Sequence, residues 1–144
     1  MKKADFIQRL DHPLIEQAIA RAEAASSGEI RVIVMHRPAP DPVADAQAAF
    51  RRLGMEKTRE RNSVLLFVAP ESQTFAIIGD EAVHGKCGQP FWDELAAVLQ
   101  SAFARGEFTA GIVTGIDRAG ALLAAHFPPR SDDIDELPNT VIEQ

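Results

Sequence analysis

Two short runs constrain this chain more than anything else in it. Ile30-Arg31-Val32-Ile33-Val34-Met35 and Ser63-Val64-Leu65-Leu66-Phe67-Val68-Ala69 are almost wholly apolar, and neither alternates apolar with polar residues. They are short and rich in β-branched side chains, which favours strands over helices. A strand that carries apolar side chains on both faces must be covered on both faces. The rest of the chain therefore has to supply helices to either side of a sheet.

It does so in order. Asp11-His12-Pro13 opens a helix, with a polar cap and a proline in the first turn. Leu14, Ile15, Ala18, Ile19 and Ala22 then recur at helical spacing, and Ser26-Ser27-Gly28 ends the segment. Between the two runs, Asp41-Pro42 opens a second helix with Val43, Ala46, Phe50 and Leu53 on one face, and Gly54 stops it. A charged connector from Glu56 to Asn62 leads into the second run. Pro70-Glu71-Ser72-Gln73 is a turn, and Thr74 to Gly79 returns as a third strand. Asp80 to Gly88 is polar and glycine-bearing and reads as a loop. Pro90 opens a third helix carrying Phe91, Leu95, Leu99 and Phe103, closed by Gly106. Thr109 caps a fourth, with Ile112, Ile116, Ala119 and Leu123 inward.

The predicted order is α-β-α-β-β-α-α. A strand, a helical crossover and a strand place the first two strands parallel, and the hairpin adds an antiparallel third. The expected fold is a single-domain α/β sandwich, a small mixed sheet flanked by helices, over residues 1–130. An acidic C-terminal tail follows over 131–144, either flexible or docked on the domain or a partner. At 144 residues the chain is long enough for one domain with its own core.

Charge and cysteine usage exclude some classes. The net charge of −6 lacks the basic face of a nucleic-acid binder. The single cysteine, Cys87, forms no internal disulfide and fits a reducing compartment. No apolar run approaches ~18 residues, so no membrane span is expected. No apolar stretch follows Met1-Lys2-Lys3-Ala4-Asp5, so no signal peptide is read and the expected location is cytoplasmic. Walker, dinucleotide, H-E-x-x-H and G-x-S-x-G signatures are absent.

Topology nevertheless gathers one constellation. Glu29 starts the first strand and Asn62 precedes the second, so parallel pairing puts both at one end of the sheet. Asp80 closes the antiparallel third strand and returns to that end. Two carboxylates and an amide oxygen are hard ligands, suited to Ca²⁺ or Mg²⁺. Arg59 and Arg61 stand beside them, able to pair with the carboxylates or with a phosphate. Strand-end carboxylates are also common as plain solvated groups or turn caps, and ligands of open parallel sheets usually sit at the opposite, carboxyl ends. His84 and Cys87 stand three apart, half of a zinc site with no second half. Trp92, off the centre of the helix stripe that holds Phe91, is a candidate binding platform as well as a core residue.

The motifs at these positions resemble the TPM domain family, which includes a thylakoid-lumen acid phosphatase. Ser27-Gly28-Glu29-Ile30-Arg31-Val32 is similar to its first-strand motif. Lys57-Thr58-Arg59-Glu60-Arg61-Asn62-Ser63-Val64-Leu65-Leu66 and Phe75-Ala76-Ile77-Ile78-Gly79-Asp80 are similar to its second and third. Phe91-Trp92, His126-Phe127-Pro128 and Glu136-Leu137-Pro138-Asn139 resemble its short bacterial members. The resemblance implies an α/β sandwich, acid phosphatase activity on phosphomonoesters and divalent-cation binding, mainly calcium. Carried onto this sequence, it puts the metal at Glu29, Asn62 and Asp80. The chain departs from the family in having Ser63 where a glycine is usual. Many members also have a signal peptide and a membrane helix, neither of which is read here.

Two functions are expected from these residues. One is metal-assisted phosphomonoester hydrolysis, with Asp80 as general acid/base and Arg59 or Arg61 offsetting phosphoryl charge. The other is a non-enzymatic, cation-binding accessory domain for a membrane or cell-envelope protein, favoured by the lack of an evident nucleophile. The oligomeric state is left open.

Overall fold

The computed structural model describes residues 3–129 and 141–144; the acidic stretch of the expected tail lies outside the described residues. The elements run α1 (Lys3–Arg9), α2 (His12–Ala24), β1 (Glu29–Val34), α3 (Pro42–Arg52), β2 (Ser63–Ala69), β3 (Thr74–Gly79), α4 (Glu81–Ala104), α5 (Phe108–His126) and β4 (Ile142–Glu143). One four-stranded sheet has the order β3-β2-β1-β4. β1 pairs parallel with β2, Glu29 opposite Ser63, and β2 pairs antiparallel with β3, Val64 opposite Gly79. This is the α/β sandwich expected from the two apolar runs.

Both runs are buried along their whole length, and the twofold alternation of strand side chains sorts them between two cores. Ile30, Val32, Val34, Val64, Leu66 and Val68 face the larger core under α1, α2, α4 and α5. Ile33, Leu65 and Phe67 face the smaller one, closed by Ala46, Ala49 and Phe50 of α3. Each such side chain taken fully from water contributes roughly 1.5–3 kcal/mol. The helix caps are as the sequence suggests: Asp11 Oδ1 accepts from Leu14 N (3.1 Å) and Asp41 Oδ1 from Ala44 N (3.2 Å).

The structure departs from the sequence reading at four places. α1 precedes the expected first helix because Phe6 is drawn into the core, its ring 4.8 Å from Phe108 and 5.6 Å from Phe103. The segment after Asp80 is helical, not a loop. Asp80 caps it, Val83 is fully buried, and Gly88 at φ 72°, ψ 172° kinks α4 just before Pro90. Thr109 does not cap α5, whose first residue is Phe108. Its hydroxyl instead accepts from Asp11 N and donates to Arg9 O, both at 3.1 Å, joining α5 to the α1–α2 turn. Finally, Ile142 and Glu143 add β4 to the free edge of β1, in parallel, opposite Ile33 and Val34.

α5 is long and apolar enough, by length and composition, to cross a membrane. Here it is packed between α2 and α4, with Gly111, Gly115 and Gly120 among its buried residues. A Cβ at Gly120 would sit 2.7 Å from Ala22 Cβ and 3.3 Å from its Cα, so α2 and α5 touch through that glycine. A Cβ at Gly115 would meet only the mobile end of Leu99, at 3.3 Å, beside a small apolar cavity that Leu99 and Ile116 also line. The two glycines should therefore answer differently to alanine. Gly120→Ala should destabilise by about 1–3 kcal/mol, through overpacking against backbone. Gly115→Ala should be neutral or stabilising by up to about 1 kcal/mol, through helix propensity. Urea denaturation of the two variants decides; equal losses would mean that Leu99 cannot give way.

Candidate functional site

The register draws the site residues into one line. Glu29 lies opposite Ser63, and Asp80, just beyond β3, donates its N–H to Ser63 O at 2.9 Å. Asn62 immediately precedes this row. Glu29, Asn62, Ser63 and Asp80 are all buried, with relative exposures of 3%, 1%, 0% and 5%. The sheet thus brings Glu29, Asn62 and Asp80 to one rim. With strands ~4.8 Å apart, the row from β1 to β3 is about 10 Å wide.

The side chains in this row serve different partners. Asp80 accepts three hydrogen bonds. Its Oδ2 accepts from Arg61 Nε (2.8 Å), and its Oδ1 accepts from Arg61 Nη2 (2.9 Å) and from Glu81 N (2.8 Å). One carboxylate therefore receives a guanidinium fork and caps α4. Arg61 reaches this position from a left-handed backbone, φ 52°, and its carbonyl accepts from Ala82 N at 3.1 Å. Its Nη1 lies 3.4 Å from Glu81 Oε1, and its side chain stays 40% exposed. Hydrogen bonding to Asp80 holds the guanidinium more firmly protonated than usual, outweighing burial, with the charges of Asp80, Glu81 and Glu56 adding to it.

Asn62 points its amide elsewhere. Nδ2 donates to Ser27 Oγ (3.1 Å) and to Glu60 Oε2 (3.3 Å), and Ser27 Oγ also donates to Glu60 Oε2. This triangle ties the turn before β1 to the charged connector before β2. The Ser63 hydroxyl donates to Met55 O (2.9 Å) and contacts Thr58 Oγ1 (3.4 Å), pinning the same connector from within. Glu29 lies on the α3 side of β1 with Arg31, which is also buried. Burial lowers the proton affinity of Arg31, and the charges of Glu23 and Glu29 oppose that loss. Glu23 Oε2 accepts from Ile30 N at 2.9 Å. Arg59 is exposed on the connector.

Trp92 lies beneath the end of β3 rather than on the rim surface. It is 7% exposed, while Phe91 is only partly buried, the reverse of the stripe read from the sequence. A Cβ at Gly79 would come within 2.5 Å of the indole, so the glycine is what admits the ring. The Trp92 Nε1–H donates to His84 Nδ1 at 2.9 Å, which leaves the imidazole proton to Nε2 when the ring is neutral. Burial pushes the Cys87 thiol up, away from the reactive thiolate.

All the donors at this rim are oxygens, which suits Ca²⁺ or Mg²⁺ by type. An ion taking Asp80 must compete with Arg61, because both carboxylate oxygens already accept hydrogen bonds. Among the described residues, no group of three His, Cys, Asp or Glu side chains is arranged to hold a metal. The Ser27–Glu60–Asn62 triangle and the Ser63 tether were not read from the sequence. The only local signal was the concentration of hydroxyl and amide residues at the start of both parallel strands.

The fork on Asp80 makes a directional prediction. Arg61→Leu leaves a buried carboxylate without its counter-ion, whereas Asp80→Asn keeps a cap for α4 and removes the buried charge. The Arg61→Leu chain should therefore unfold at clearly lower urea concentration than Asp80→Asn. The reverse order would show that the Arg61 guanidinium left without Asp80 costs more than the buried carboxylate left without Arg61.

A family model matches the sequence, and solved structures share the fold. A family model described as the TPM domain matches residues 1–122. The BA42 protein of the psychrophilic bacterium Bizionia argentinensis, solved by NMR, is similar at 40% identity and a TM-score of 0.86, over 94% of this chain and 96% of that one. The N-terminal domain of the cg2496 protein from Corynebacterium glutamicum shares the fold at 17% identity and a TM-score of 0.62, over 86% of this chain and 77% of that one. No curated protein matches the chain. The match across most of its length means that the chain belongs to the TPM domain family.

Proposed function

We propose that this TPM domain is a cation-binding domain for calcium or magnesium, acting as an accessory or interaction module for a membrane or cell-envelope protein. One observation carries the reading: carboxylates crowd the rim around Glu29 and Asp80 in excess of the cations there. Glu29, Glu60, Asp80 and Glu81 gather at the strand ends, with Glu23 and Glu56 close enough to act on Arg31 and Arg61. Such a field attracts a divalent cation more readily than a phosphate. Glu29, Asp80 and the amide oxygen of Asn62 would hold the ion. Arg61, which now serves Asp80 as counter-ion, would turn to solvent as it is exchanged.

The hydrolytic reading has its own support. Arg61 is part-exposed at the N-terminus of α4 and Arg59 lies near it on the connector, so a phosphoryl group has cationic donors to meet. A bound cation would supply Lewis acidity for a phosphomonoester. Against this reading, Asp80 as general acid/base already accepts three hydrogen bonds.

Amide NMR spectra during Ca²⁺ and then Mg²⁺ titration test the proposal. Saturable shifts should centre on Glu29, Asn62, Asp80 and the freed Arg61, with affinity reduced about tenfold or more in Asp80→Asn, as expected for losing one charged ligand. Turnover of p-nitrophenyl phosphate that appears with the metal and disappears in Asp80→Asn would favour the hydrolytic reading. Spectra that stay flat into the millimolar range sink both.

A further inference from the structure

β4 contains only Ile142 and Glu143, and a ladder so short contributes little on its own. What holds it is a set of backbone and side-chain contacts from α2, α3 and the segment after β1. Gln144 N donates to Val34 O (2.9 Å) and His36 N to Gln144 O (2.6 Å), which extends the backbone pairing past the strand. Val141 enters the larger core and its N–H donates to Glu16 Oε2 of α2 at 3.2 Å. Ile142 packs on the smaller core beneath α3. Glu143 is gripped at both oxygens, by His12 Nε2 and by His36 Nε2, each at 2.8 Å. Arg52 Nη2 of α3 donates to the Gln144 side-chain oxygen at 2.6 Å.

Alternation accounts for this division of labour. Val141 and Glu143 face the α2 side of the sheet, and Ile142 and Gln144 face the α3 side. Four consecutive residues are thus recognised one by one, by groups that lie more than ninety positions away in sequence. An edge strand that merely filled a gap would need the backbone pairs alone. Here the edge also discriminates side chains, which is how strand-adding peptide sites obtain specificity.

We propose that the outer edge of β1, from Ile33 to His36, is a peptide-binding site for an extended aliphatic–aliphatic–Glu–Gln segment, and that residues 141–144 are its resident, displaceable ligand. His12 and His36 read the glutamate, Arg52 reads the glutamine, and the two cores take the aliphatic pair. The resident is covalently joined to the domain, so it competes for the edge as an intramolecular ligand. A segment of the same chemistry arriving in trans has to outcompete it, and binds more tightly where the resident's grip is weakened.

The full-length Glu143→Gln chain supplies that condition. In it, the His36 and Gln144 amides should lose protection from hydrogen exchange while those of β2 keep theirs. An acetylated Thr-Val-Ile-Glu-Gln peptide, corresponding to residues 140–144, should then bind this chain and restore protection at His36. The same peptide with glutamine for its glutamate should bind about tenfold more weakly, as expected for a lost charge-assisted contact. Adding His12→Gln and His36→Gln should erase the difference between the two peptides. The proposal is overturned if the two peptides bind alike, if neither binds the opened edge in the millimolar range, or if Glu143→Gln leaves His36 and Gln144 fully protected. Binding of the peptide to a partner-free wild-type chain at the same affinity would also overturn it, since the resident would then not occupy the site.

Discussion

β1 and β2 lie side by side with water on neither face, and most of the molecule's architecture descends from that burial. A strand covered on both sides has little room for polar side chains along its length, so, Arg31 of β1 apart, polar groups collect at the strand ends and on the connectors. The start of β1 carries Glu29, and Asn62 and Ser63 stand at the entry to β2, each buried. The helices needed to cover both faces impose the parallel crossover, and the crossover brings both starts to one rim.

Asp80 closes that rim by joining three elements. Its N–H continues the β2–β3 ladder through Ser63, its carboxylate caps α4, and its two oxygens hold the Arg61 fork. Trp92 fixes the same corner from below, fitted against Gly79 and hydrogen-bonded to His84. A group so placed is structural whatever else it does. Any chemistry assigned to it has to begin with the release of Arg61.

The opposite end of β1 solves a different problem. β3 forms one edge of the sheet, while the β1 edge is covered by residues 141–144. That cover is held by side chains of α2, α3 and the segment after β1, so the sheet edge carries chemical selectivity as well as backbone pairing. The two ends of the same strand therefore differ in kind. One is a closed network of carboxylates and guanidinium groups, and the other receives a strand.

Local physics alone decided much of this fold. The two apolar runs specified doubly buried strands, Asp11-His12-Pro13 and Asp41-Pro42 marked helix starts, and strand polarity put Glu29, Asn62 and Asp80 at one end. Those features depend on periodicity, capping and chain direction, all of which act between near neighbours. The tertiary structure decided the rest. Phe6 forms a helix because a pocket between Phe103 and Phe108 receives it, and the segment after Asp80 is helical because Val83 has a core to enter. Asn62 turns to Ser27 and Glu60, Ser63 to Met55, and Glu143 to His12 and His36, through contacts that no local pattern encodes. Sequence spacing can bring residues to the same rim. Which of them touch is settled only when the whole sheet and its helices are in place.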